Sequence, residues 1–460
     1  MVVTKDNTLY RKRKFFVNMN YQLNHMTSDQ SGHFIQSPLP EEVDSERFQL
    51  LGLISLGSLL EYYDFGIFIY LAPLLGKTLI PASNEFVNLL LSYSIFAIGA
   101  LFRPLGGMIF AHLGDTRGRK YTFVYTILLM AVPTLGIALI PNAHLIGAWA
   151  TVLLILLRIF QGLAIGGEIP GSVVFGYELS SLKRKAFNSS IVIMGTNIGF
   201  FLASLVCTLL VGLHFNSFES WRLAFVLGGL FGIVSFFLRR SLIETPAFTE
   251  YKRLLQKETV PAKLLFAHYK KPLFQLLGIG CFLSSSLALF TFYMPNYLAG
   301  FYHFPLQRLM EFNSFTVVIF VLGSLLAGLF DQYFTKKFFI CFALSLSLVA
   351  LVLFRHYGDL TINQILFVHS WILLGVGIIC GRFPVLCATF FPVSVRYTGV
   401  AFVYNISFGV VAGCTQMLLT GLIKATGLLW VPALYLSFFA IFSVISLISI
   451  KARQLVEYQK

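Results

Sequence analysis

Twelve apolar stretches divide this chain, at 48–76, 86–110, 120–140, 145–178, 187–213, 221–243, 272–299, 312–330, 338–355, 362–390, 397–423 and 428–450. A helix needs roughly 20 mostly apolar residues to cross a bilayer, so each stretch predicts a membrane-spanning helix. Charged residues make up only 12% of the chain, against about 25% in a soluble domain. The expected fold is an all-α membrane protein with no soluble domain between its spans. The net charge of +14 does not point to nucleic acid. The basic residues gather in short loops, which is the footprint of membrane topology.

An even number of spans puts both termini on one side. That side holds Arg47, Arg117, Arg119, Lys120, Lys183, Arg184, Lys185, a basic run from Arg239 to Lys271, Lys336, Lys337, Arg396, Lys451 and Arg453. The opposite loops hold only Lys77, Arg222, Arg308, Arg355 and Lys424. Positive loops face the cytosol, so a multi-pass protein of the plasma (bacterial inner) membrane is expected, with both termini cytosolic. Residues 1–47 are polar, carry Arg11-Lys12-Arg13-Lys14 and read as a cytosolic tail without a signal-peptide core. The connection 244–271, broken by Pro246 and Pro261, reads as a cytosolic linker. It separates a six-helix bundle at 48–243 from another at 272–450, with a second tail at 451–460. Cys207, Cys281, Cys341, Cys380, Cys387 and Cys414 all fall in apolar spans without metal or disulfide spacing, and read as small core residues. No metal is expected.

The two halves resemble each other. The loop after span 2 reads LGDTRGRKY from Leu113, and that after span 8 reads LFDQYFTKKF from Leu329. Asp115 and Lys120 thereby correspond to Asp331 and Lys336. Span 4 carries Gly162 and then Glu168-Ile-Pro170; span 10 carries Gly375 and then Arg382-Phe-Pro384. Such a repeat predicts two pseudo-symmetric bundles with a binding site between them near the midplane.

Charges inside the spans are the functional signal, because each costs about 2.5 kcal/mol or more in the bilayer. Glu61 and Asp64 lie at i and i+3, on one helix face. By the helical rise, Glu61 is roughly 16 Å from the inner end of its span. Burial and a like charge nearby both favour the protonated form of a carboxyl group, so this pair suits a proton that must be held and released. The bland alternative is a permanent pairing with an arginine. Arg103, Arg158 and Arg382 are the arginines set well inside spans, away from the ends; Arg103 is near enough to its inner helix end to snorkel. Glu168 and Arg382 occupy matching places in the two halves, and so are expected to face each other as a gate, a substrate clamp or a fixed ion pair. Tyr62, Asn197, Tyr293, Asn296, His369 and Asn405 are candidate polar groups of a central cavity. Each alone is more often an interhelical hydrogen bond.

Several motifs resemble a known family. Between spans 2 and 3, Ala111 to Lys120 reads A-H-L-G-D-T-R-G-R-K, which is similar to the signature of the major facilitator superfamily. Alanine at 111 replaces the usual first glycine, while Asp115, Gly118, Arg119 and Lys120 are in place. Further pieces resemble the metabolite:proton symporter family, which includes proline/betaine transporters. They are Glu61-Tyr-Tyr-Asp64-Phe65, Arg103-Pro-Leu-Gly-Gly107, Arg158-x-x-Gln161-Gly162, Gly166-Gly167-Glu168, Glu244-Thr-Pro-Ala-Phe248, Phe391-Pro-x-x-Val-Arg396-Tyr-Thr-Gly399 and Tyr404-Asn405. Tyr62 stands where the family usually has Trp, and spans 7 to 9 match poorly. The resemblance implies alternating access, proton coupling through Asp64, and Arg158 as partner to Glu61 or Asp64. It also implies a conformational gate at Asp115, Gly118, Arg119 and Lys120, with Asp331 and Lys336 as its counterpart.

The expected function is proton-coupled symport of a small zwitterion or carboxylate, such as proline, betaine, citrate or 2-oxoglutarate. The partners expected are that solute, a proton and the lipid bilayer, in a monomer with no cofactor beyond the coupling proton. The alternatives are an antiporter or exporter, uptake of a polycarboxylate iron chelator, and a sensor that has lost transport. Span 5 lacks the G-P-x-x-G-G run of drug antiporters. No nucleophile elbow or phosphate loop suggests an enzyme.

Overall fold

The computed structural model describes residues 41–81, 84–180, 185–211, 219–240, 244, 248–250, 261–329 and 335–450. Among them every regular element is a helix, and twelve are long and apolar enough to cross a membrane. Spans 1 to 6 are Leu50–Tyr70, Phe86–Thr116, Arg119–Leu139, Trp149–Leu179, Phe187–Leu210 and Ser220–Arg240. Spans 7 to 12 are Lys270–Tyr302, Leu306–Leu329, Lys336–Asp359, Ile362–Thr389, Arg396–Thr426 and Val431–Ser449. They form two six-helix bundles.

Most boundaries follow the apolar pattern, and the departures have local causes. Span 1 stops at Tyr70, before a separate short helix Ala72–Leu79 whose first turn contains Pro73. Proline restricts the residue before it and has no N–H to continue the ladder. Span 8 begins at Leu306, earlier than its apolar run, because its first turns carry Arg308 and Glu311. Span 7 ends where His303 turns left-handed at φ 58. Span 10 opens on a capping box in which Thr361 and Gln364 bond each other's backbone.

Small residues set the packing inside the first bundle. A Cβ at Gly162 would collide with the Gly99 carbonyl, and one at Gly166 with that of Arg103, so spans 2 and 4 cross at backbone contact. Spans 1 and 5 do the same at Gly195 and Gly199. Span 5 also lies on spans 8 and 10, and span 11 on spans 2 and 4; these contacts join the bundles. Leu101, Val132, Leu139, Phe237, Leu348, Phe367, Trp371 and Ile448 are exposed, which is the surface a lipid-embedded bundle presents.

Two spans of the second bundle leave α geometry. Ala288–Tyr293 in span 7 and Asn405–Val411 in span 11 are π-helical, a feature that often marks functional sites. The cysteines are unpaired. Four are buried as expected, but Cys341 is exposed and Cys414 half-buried, because their helix faces turn outward.

Candidate functional site

Glu61 and Asp64 point into the first bundle, and both are buried. They differ in their partners. Asp64 Oδ2 accepts from Thr134 Oγ1 of span 3 at 2.8 Å. That hydroxyl accepts from Gln161 Nε2 (2.8 Å), and Gln161 Oε1 accepts from Arg158 Nη1 (2.8 Å). Arg158 therefore reaches Asp64 through two intervening side chains, not by the direct ion pair expected. Its guanidinium lies over Phe68 at 4.0 Å and Phe96 at 5.0 Å, a cation–π setting that tolerates the charge out of water.

The arginine of Glu61 is Arg239, near the end of span 6. Its Nη1 is 3.5 Å from Glu61 Oε1 and bonds Glu168 Oε1 of span 4. Glu168 Oε2 also accepts from Thr126 Oγ1 at 2.6 Å, and its Oε1 from Ser172 at 3.4 Å. The clamp expected between Glu168 and Arg382 is thus replaced by an ion pair inside the first bundle; Arg382 is half-buried in span 10. In the sequence Arg239 falls with the basic linker, since two arginines at a helix end read as loop charge. The signal that finds it is the stripe Gly228, Gly232, Ser235, Arg239, which recurs at helical spacing on one face. A Cβ at Gly228 would collide with the Asp64 carboxylate, and one at Gly57 with the Arg239 guanidinium.

A second set of groups sits between the bundles. Arg103 does not snorkel: it is 2% exposed, and its Nη1 donates to Phe408 O in the π segment of span 11 at 2.9 Å. Among the described residues, its Nε and Nη2 have no hydrogen-bond partner. The guanidinium is 5.6 Å from the ring of Phe65. Around that ring gather Phe200 of span 5 and Phe292 of span 7, at 6.1 and 6.4 Å, with 4.7 Å between those two. Tyr62 stands edge-on to Phe200 at 4.9 Å.

The remaining candidates separate. Asn197 Nδ2 donates to Ser324 across the bundles at 3.3 Å. Tyr293 and Asn296 lie beside Tyr93 of span 2. His369 is buried within the second bundle, its Nε2 2.8 Å from the Tyr357 hydroxyl, between Phe290 and Phe312. Asn405 Nδ2 donates to Gly166 O at 2.7 Å. Pro170 has no N–H to offer Gly166 in the span 4 ladder, so the asparagine from span 11 satisfies that carbonyl. Tyr397 Oη donates to the next one, Gly167 O, at 2.6 Å.

On the face where span 1 begins and span 12 ends, the signature residues lock the bundles together. Asp115 Oδ2 accepts from Thr398 N (3.2 Å) and Oγ1 (2.7 Å) in the first turn of span 11. Its Oδ1 is 3.4 Å from Arg119. Glu178, at the end of span 4, lies between Arg119 of one bundle (3.4 Å) and Arg396 of the other (3.0 Å). Gly118 adopts φ 123, a region that favours glycine. Lys120 contributes its backbone N–H, which donates to Glu244 Oε2 at 3.2 Å. Lys336 donates to Ile448 O and Ile450 O and so caps span 12 rather than mirroring this lock. Asp331 lies outside the described residues.

Twelve spans in two bundles, with charged groups buried at mid-span and a polar lock at one face, define a membrane transporter. The model of the Major Facilitator Superfamily matches residues 54–415, and the chain belongs to that superfamily. It is 30% identical over 417 residues to a proline/betaine transporter of Salmonella typhimurium, covering 86% of this chain and 82% of that protein. It is 29% identical to the glycine betaine/proline/ectoine/pipecolic acid transporter of Dickeya dadantii, covering 85% and 81%. Its fold is similar to that of the proton:xylose symporter XylE bound to 6-bromo-6-deoxy-D-glucose, with a TM-score of 0.71, 15% identity, and 88% and 95% of the two chains covered. A human organic anion transporter, MFSD10, superposes with a TM-score of 0.64 at 12% identity, over 89% and 99%. The chain is a transporter of the proline/betaine-transporter type, not an enzyme.

Proposed function

We propose that the protein imports a small zwitterion of the proline or betaine type together with a proton, by alternating access of its two bundles. The single observation that carries the substrate is Arg103, a guanidinium buried between the bundles with two nitrogens unpartnered. Two N–H donors in a planar fork suit a carboxylate. The rings of Phe65, Phe200, Phe292 and Tyr62 beside it suit an ammonium, whose charge is attracted to aromatic faces. A zwitterion uses both halves of this site; citrate or 2-oxoglutarate would use only the first. The named solutes of the curated relatives have that chemistry. Proton coupling is assigned to the buried acids of span 1, which face away from Arg103 into the first bundle. The face of the Asp115 lock is read as cytosolic, in a plasma membrane, because basic loops gather there, and the transporter is read as a monomer divided near residues 244–271.

The test is uptake into proteoliposomes under an imposed pH gradient. Glycine betaine or proline should accumulate, and Arg103→Gln should abolish it. Accumulation of citrate or 2-oxoglutarate instead would overturn the substrate class. Accumulation that survives collapse of the gradient would remove the symport assignment.

A further inference from the structure

Glu61 and Glu168 approach from spans 1 and 4 and share one nitrogen, Arg239 Nη1, which meets the Oε1 of each. Ionised carboxylates are acceptors only, so a bond between two of them requires a proton. The charge count points the same way. Glu61, Glu168 and Asp64 are three buried acids, and the guanidiniums that reach them, Arg239 directly and Arg158 through Gln161 and Thr134, are two. Fully ionised, the group would carry one negative charge in excess (three minus two), out of reach of water and at high cost. One bound proton cancels it. Among the described residues, Glu61 Oε2 is buried and has no donor, which a proton supplies.

We propose that Glu61 and Glu168 together bind one proton between their carboxyl oxygens, against Arg239, and that this pair rather than Asp64 holds it in the closed conformation. Its meaning as the coupling proton rests on the symport reading above. The groups facing the pair are Arg239 of span 6, Asp64 of span 1, Thr126 of span 3, Ser172 of span 4 and, within electrostatic range, Tyr397 of span 11. Asp64 lies beside the pair and lines with Glu61 a small cavity of about 10 Å³ inside the first bundle.

Infrared spectroscopy of the reconstituted protein at neutral pH tests the shared proton. The wild type should show a protonated-carboxyl C=O band that shifts in heavy water. The band should be lost in Glu61→Gln and in Glu168→Gln and kept in Asp64→Asn. Each glutamine replaces a protonated acid by a neutral amide, so no buried charge is created and the variants should fold. A band that survives both glutamine substitutions, or that disappears in Asp64→Asn alone, overturns the proposal. Driven uptake without the band sinks this inference and leaves symport standing. The band without driven uptake sinks symport and leaves the shared proton standing.

Discussion

Arg239 decides how the buried acids of this transporter can coexist. It is fully buried and holds Glu61 and Glu168 at once. Removing one member of a buried ion pair strands the other, at about 3–5 kcal/mol. Arg239→Ala should therefore lower the melting temperature of the purified protein sharply, while Arg239→Lys, which keeps the charge but not the fork, should lower it less; equal melting curves for the three proteins would refute that. Asp64→Asn is different in kind. The asparagine still accepts from Thr134, so the fold should persist while gradient-driven accumulation is lost, as paired melting and uptake assays would read. The acids themselves were legible in the sequence, because a carboxylate inside an apolar run has few innocent explanations. Their arginines were less so. Arg158 stands out mid-span in the sequence, but its link to Asp64 passes through Thr134 and Gln161, and hydroxyls and amides are common in spans. Arg239 was hidden by its neighbour Arg240 at a helix end, where arginines normally mark the loop.

At the scale of elements, the apolar runs gave the helices and glycine spacing gave their close crossings. The π segments of spans 7 and 11 were illegible, since no residue type marks the extra residue in a turn. Span 4 was partly legible: Gly166-Gly167-Glu168-x-Pro170 announces an interrupted ladder, but not what mends it. The mend is Asn405, from a helix about 240 positions along the chain. Leaving a buried carbonyl unsatisfied costs about 1–3 kcal/mol, so Asn405→Ala should destabilise by about that amount in thermal melts. Pro170→Ala gives span 4 back the N–H that Gly166 O lacks. The double variant should therefore lose less stability than the sum of the two single ones, a non-additivity expected of coupled partners. Strict additivity would show that the asparagine acts elsewhere.

At the scale of the whole molecule, the two halves meet through a few named bonds on the terminal face, and these set how easily that face opens. Glu178 is the carboxylate shared between bundles, with Arg119 on one side and Arg396 on the other; Asp115 reaches Thr398 beside it. The sequence placed a lock here through Asp115, Gly118 and Arg119, but not Glu178, which sits at an ordinary helix end. Glu178→Gln removes the negative charge that Arg119 and Arg396 share. Bonds to a charged group are worth about 1.5–3 kcal/mol, so the closed form should lose roughly a tenfold or greater share of its population to forms open at this face. A single cysteine at Ala111, which is buried in the terminal half of span 2, reports it in a background without the native cysteines. Its reaction with a water-soluble thiol reagent should quicken by about that factor in Glu178→Gln. Glu178→Asp, which keeps the charge on a shorter arm, should fall between the variant and the parent. If the cysteine reacts at the parent rate in both, the terminal face is held shut by packing and not by this shared carboxylate.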